Sequence, residues 1–185
     1  MPSSPTTLTD IPTLRSQARQ HLDEGAVTAG YTADREEVLR LLNEALATEL
    51  ICVLRYRRHH FMARGIHAKG VAEEFLVHSN EEQAHADLLA ERIVQLGGAP
   101  DFSPLTLPAR SHAEYVECHT LPEMIRENLV AERIAIDSYR DMVRFLGDED
   151  PTSRRLLETI LAVEEEHADE LSDLLEHFPS DTEKA

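Results

Sequence analysis

The sequence predicts an all-α protein built on four long helices, and three observations point there. Apolar residues recur at three- and four-residue intervals over four stretches of about 27 residues, the spacing that gathers them on one helical face. The chain is 42% hydrophobic with 7 Gly, no Trp and only 5% aromatics, a mix suited to Leu- and Ala-rich helices rather than a sandwich or barrel. Glycine or proline punctuates the ends of the stretches. At 185 residues the chain suits one domain with a sizeable core.

Residues 1–34 are rich in Ser, Thr and Pro and read as an extended arm with at most a short helix near 11–22. The first long helix is expected near 35–64, capped by Asp34 and stopped by Gly65, with Val38, Leu42, Leu46, Glu49, Val53 and Tyr56 on its stripe. The second, near 68–96, aligns Val71, Phe75, His78, Glu82, His85, Leu89 and Leu96 and ends at Gly97 and Gly98. "APDFSPLTLPARSHAEYVECHT" is too long for a turn and must cross the bundle, with room for a small helix at "ARSHAEYVE". The third helix, near 121–147, carries Ile125, Leu129, Glu132, Ile136, Tyr139, Val143 and Leu146, with Pro122 in its first turn and Thr120 or Leu121 before it. After "GDEDP" the fourth, near 152–178, shows Leu157, Ile160, Glu164, His167, Leu171, Leu174 and Phe178, closed by Pro179; residues 179–185 form a short tail. Each helix is roughly 40 Å long at 1.5 Å per residue. Short links make two antiparallel hairpins, and the long link joins them.

The 35 acidic side chains against 18 basic ones give a net charge of −17, a field that repels phosphate backbones and gathers cations. DNA binding is not expected, since the arm offers only Arg15 and Arg19. Cys52 and Cys118 form no CxxC pair, there is no secretory signal pattern and no apolar run of about 18 residues, so a cytoplasmic location with no membrane span is expected.

A glutamate interrupts each apolar stripe near its middle: Glu49, Glu82, Glu132 and Glu164. Glu82 and Glu164 each have a histidine three residues on, His85 and His167, in the chain's two Glu-x-x-His matches. The two halves repeat one pattern, a glutamate on one helix and Glu-x-x-His on the next. Burying an ionised carboxylate without a partner costs several kcal/mol, so four in one core demand compensation. Arg55, Arg92 and Arg133 lie mostly off the stripes and are expected to reach water. Four negative charges match two divalent cations, and a carboxylate and imidazole set without a thiolate pair suits iron or manganese over structural zinc. Residues three apart share a helical face, so each Glu-x-x-His can grip one ion while its glutamate bridges or chelates.

These motifs resemble the ferritin superfamily, most closely bacterioferritins and Dps-like ferritins with an intrasubunit di-iron site. "LLNEALATELICVLRYRRHH" is similar to the first-helix signature, "HSNEEQAHADLLAERI" to the second, "LVAERIAIDSY" to the third and "LAVEEEHADEL" to the fourth. The resemblance spans about residues 36–178. It implies a ferritin-like four-helix bundle and a ferroxidase centre with Glu49, Glu82, His85, Glu132, Glu164 and His167 as catalytic and metal-binding residues, Glu82 and Glu164 bridging. It further implies two iron ions per subunit, with manganese or zinc as substitutes, and dioxygen or hydrogen peroxide as oxidant. Ferric mineral would collect in a homo-oligomeric shell, protecting against oxidative stress. Gln83 stands where bacterioferritins carry their haem-ligating methionine, so haem is not expected. Only "PSDTEKA" follows Phe178, where 24-subunit ferritins have a fifth helix, which favours a dodecamer and leaves a 24-mer as the other assembly. A di-iron or di-manganese peroxidase, catalase or oxygenase that stores nothing is the alternative function.

Around the six, His78 reads as a support for the ligands, a transient iron site, or a core or subunit-contact histidine. Tyr56 and Tyr139, each seven residues past a glutamate, read as packed tyrosines with a satisfied hydroxyl, as hydrogen-bond donors to a bridging glutamate, or as a source of an electron. Cys52, one turn past Glu49, reads as a core thiol or as redox-active with Cys118. His59 and His60 in "RYRRHH" read as a solvated or subunit-facing helix end.

Overall fold

Caps and glycines divide the chain into helices, and the divisions position the site. In the computed structural model, residues 8–66 and 68–178 are described. They form α1 (Ile11–Gln17), α2 (Arg35–Met62), α3 (Ala68–Gln95), α4 (Leu107–Arg110), α5 (Leu121–Leu146) and α6 (Pro151–Glu176), with a 3₁₀ turn at Leu22–Glu24. The Asp34 carboxylate accepts from the Glu37 amide at 3.2 Å and starts α2. At the end of α3, Gly97 takes a φ of 76°. The Gly98 amide there donates to the Ile93 carbonyl at 2.9 Å, closing a Schellman motif. A Cβ at Gly98 would collide with the Leu39 side chain, so glycine lets the end of α3 lie against α2. Thr120 caps α5 and forms a capping box with Glu123, which settles the choice between Thr120 and Leu121.

α2 packs on α3 and α5 on α6 as two hairpins. The bundle buries two apolar groups. One includes Leu42, Leu46, Leu89, Ile93, Tyr139, Leu157 and Ile160; the other includes Ile51, Tyr56, Phe75, Ile125 and Leu171. The mid-helix acids and histidines lie between them. No described helix is long and apolar enough to cross a membrane.

Three expectations are corrected. The crossover helix sits at Leu107–Arg110, earlier than "ARSHAEYVE", because side chains of α2 claim the backbone of that segment. Thr48 Oγ accepts from the His112 amide at 3.0 Å and the Arg55 guanidinium donates to the Glu114 carbonyl at 2.6 Å. Arg55 and Arg92 are 2% and 8% exposed, so only Arg133 of the three reaches water. The terminal nitrogens of Arg55 donate to the carbonyls of Glu114 and Glu127, while Arg92 donates to Asp150 at 2.9 Å and Ser153 Oγ at 2.8 Å. His59 is fully buried rather than a solvated or subunit-facing end, bonded to Asn128 Oδ1 and the Val116 carbonyl, each at 3.1 Å.

The arm also does more than extend. Val27 joins the core, and Tyr31 Oη donates to Asp150 at 3.1 Å, tying the arm to the start of α6.

Candidate metal centre

The helical period carries Glu49 on α2, Glu82 and His85 on α3, Glu132 on α5, and Glu164 and His167 on α6 into the bundle interior. All six are buried, from 0% exposed at Glu132 to 6% at His85. Their ligating atoms fall into two groups. Glu49, Glu82, His85 and Glu164 offer atoms within 4.8 Å of one another, and so do Glu82, Glu132, Glu164 and His167. Glu82 and Glu164, one from each hairpin, belong to both.

Both histidines turn Nδ1 inward. His85 Nδ1 lies 3.0 Å from Glu164, 3.3 Å from Glu49 and 3.4 Å from Glu82. His167 Nδ1 lies 3.4 Å from Glu82 and 3.9 Å from Glu164. These contacts are close enough to attract, yet they are not aligned as hydrogen bonds. Glu49 Oε2, both oxygens of Glu82, Glu132 Oε2, Glu164 Oε1 and both Nδ1 atoms are buried without a hydrogen-bond partner. Orphaned buried polar atoms are rare in folded proteins. Here they converge on two common points, which is how a donor set for cations is arranged. Oxygen-rich ligation with one imidazole per point fits iron or manganese.

Proton affinities carry the same strain. Burial, then the facing charges of Glu49 and Glu132, push the Glu82 carboxyl well above its ordinary range. Burial, then the charges of Glu82, Glu49 and Glu132, do the same to Glu164. Burial also opposes the charge on Glu49, but the close contacts with Glu82 and His85 and the hydrogen bond from Tyr139 hold it below its usual value. Burial disfavours the His85 imidazolium, but contacts with Glu164, Glu49 and Glu82 raise it to about 12. Without cations the centre is therefore a proton store, and divalent ions must displace those protons to bind.

Tyr139 Oη donates to Glu49 and Tyr56 Oη to Glu132, so each tyrosine holds the glutamate of the opposite hairpin that belongs to one group only, not a shared one. The two contacts run in opposite directions along α2 and α5, which makes these helices antiparallel neighbours. Seven residues carry a tyrosine about 10 Å along its own helix, out of reach of its own glutamate but level with the other. His78, fully buried, joins neither group; its ring stacks on His167 with centroids 4.0 Å apart. Cys52 is a free buried thiol, and burial, then the charges of Glu82, Glu132 and Glu49, hold it protonated. Cys118, also free, lies in the same apolar group as Cys52.

The sequence reading missed Glu81, which accepts from His167 Nε2 at 2.9 Å and fixes Nδ1 toward the centre. As the exposed neighbour of Glu82 it carries no periodic signal. Glu74, four residues before His78, was detectable from that spacing.

A four-helix bundle with two overlapping carboxylate and histidine groups in its middle has the donor arrangement of the dinuclear carboxylate bundles. The ferritin-like domain family matches residues 39–180. A bacterioferritin of Mycobacterium avium is 32% identical over 141 residues, covering 76% of this chain and 84% of its own. A nutrient stress-induced DNA-binding protein of Synechococcus is 32% identical over 145 residues, covering 74% of this chain and 80% of its own. The solved structure of a bacterioferritin-related protein from Bacteroides fragilis, described as a dodecameric thioferritin, superimposes with a TM-score of 0.75 at 30% identity, covering 78% of this chain and 87% of that one. The chain belongs to the ferritin family.

Proposed function

We propose that the protein is a ferroxidase that stores or detoxifies iron. One Fe(II) is held by Glu49, Glu82, His85 and Glu164, and the second by Glu82, Glu132, Glu164 and His167. The observation that carries this reading is the sharing of Glu82 and Glu164 by both groups, which holds two ions close enough to give up one electron each to the same oxidant. Two Fe(II) become two Fe(III); dioxygen takes the two electrons and two protons to give hydrogen peroxide, or hydrogen peroxide takes them to give two waters. Iron is the substrate, so the ferric product moves on as mineral into a hollow homo-oligomer, a dodecamer like the Bacteroides fragilis relative. The net charge of −17 supports cation uptake and opposes coating of DNA, and the two unpaired cysteines suit a reducing cytoplasm.

The test is Glu82→Ala with Glu164→Ala. The helices should assemble, and rapid oxidation of Fe(II) in air should disappear. Fast oxidation in a folded double variant overturns the assignment. For the wild type, many ferric ions per subunit in a shell-sized particle are expected; a particle that stops at two ions per subunit points instead to a non-storing dinuclear enzyme.

A further inference from the structure

Outside the dinuclear centre, the described residues contain one more group of metal-binding side chains within ligand reach: Glu74 and His78 on α3 and Glu170 on α6, whose ligating atoms lie within 4.8 Å of one another. His78 Nε2 is 2.9 Å from Glu170 and 3.5 Å from Glu74. The imidazole is 0% exposed, whereas the side chains of Glu74 and Glu170 are 37% and 44% exposed. The group therefore opens to solvent on its carboxylate side and ends on a sealed nitrogen.

Neither tautomer of His78 satisfies these surroundings. With the proton on Nε2, one N–H faces two carboxylates from two helices and can serve only one well, while Nδ1 is left as a buried acceptor without a partner. With the proton on Nδ1, a buried donor goes unpaired and the Nε2 lone pair points at two anions. Each arrangement leaves a buried polar atom without a good partner. A divalent cation at Nε2 ends the conflict on the carboxylate side, because it accepts the lone pair and balances both charges while the proton stays on Nδ1.

The position adds a second argument. His78 lies one helical turn from Glu82, and its ring stacks on that of His167, with centroids 4.0 Å apart and planes 19° from parallel. His167 in turn offers Nδ1 to the dinuclear centre. A cation bound by the triad would sit one imidazole stack outward from the second ion.

We infer that Glu74, His78 and Glu170 form a third divalent-cation site, a solvent-facing port beside the dinuclear centre for the same oxygen- and nitrogen-preferring ions. The port's function rests on the ferroxidase reading; the site itself does not.

Cobalt(II) is a suitable probe, because its anomalous scattering locates it and it resists oxidation by air. Crystals of the full chain grown with Co(II) should show anomalous peaks between the two shared glutamates and a further peak among Glu74, His78 and Glu170. Equilibrium dialysis should show that Glu74→Gln with Glu170→Gln loses only the outer ion, and that Glu82→Gln with Glu164→Gln loses the inner ions and retains the outer one. Both glutamates of the triad are partly exposed, so the first variant keeps the core intact. Cobalt in the dinuclear centre with none at the triad overturns the third site and leaves the ferroxidase reading standing. Cobalt at the triad alone upholds the site and removes the support for the dinuclear centre, and cobalt at neither overturns both.

Discussion

Replacing the two shared carboxylates by their neutral isosteres, Glu82→Gln with Glu164→Gln, should change stability in opposite directions with and without metal. Glu49 and Glu132 belong to different groups, so every close carboxylate pair defined by the two groups includes Glu82 or Glu164. At the 4.8 Å that bounds each group, two like charges repel by about 3.5 kcal/mol at an effective dielectric constant near 20. The metal-free chain avoids much of this by keeping protons on Glu82 and Glu164, whose folded affinities are raised. A raised group contributes stability in full below its unfolded value, here 4.5, and loses it as the pH climbs through the folded value. The metal-free wild type should therefore weaken as the buffer becomes alkaline, while the variant, with nothing to deprotonate at these positions, should not. Relief of one repulsive pair sets the scale of the difference, roughly 7–14 °C in melting temperature for a chain of this length. With cations the order reverses. A ligand at 100 times its dissociation constant stabilises the wild type by about 2.7 kcal/mol, and the variant has lost the shared ligands that create the site. Scanning calorimetry of both proteins between pH 5 and 9, with chelator or with Co(II), reads all four cases. A variant that melts below the wild type in alkaline chelator, or that gains as much from Co(II), would refute the claim that these two carboxylates are a liability tolerated for metal binding.

Two other outcomes are expected. Tyr56→Phe with Tyr139→Phe removes the donors that hold Glu132 and Glu49, and should lower iron oxidation about 10–100-fold while the helices persist in circular dichroism; unchanged rates would show that the tyrosines only pack. Arg92→Met leaves Asp150, 2% exposed, without its cation and should cost about 3–5 kcal/mol, roughly 6–20 °C in melting temperature. Thermal unfolding of the metal-free protein measures that loss, and a shift under about 2 °C would mean that Ser153 and Tyr31 satisfy Asp150 without the arginine.

The sequence by itself determined the four helices and the six-residue set at their middle. Both are written in the helical period: a glutamate on an apolar stripe, as at Glu49 or Glu132, faces the core wherever the stripe does, and Glu-x-x-His keeps Glu82 with His85 and Glu164 with His167 on one face. The caps at Asp34 and Thr120 were equally local. Only the tertiary structure decided which residues meet across helices. That Tyr56 holds Glu132 and Tyr139 holds Glu49 depends on the antiparallel alignment of α2 with α5. That Arg55 and Arg92 are buried depends on carbonyls and a carboxylate brought from remote segments, and the crossover segment after α4 gave up helix because α2 had already taken its backbone partners. The grouping of Glu74 with Glu170 and the anchoring of His167 by Glu81 likewise join α3 to α6, residues far apart in the chain. A period along the chain fixes the face a side chain takes, whereas its partner depends on the relative translation and rotation of packed helices, which no single helix encodes.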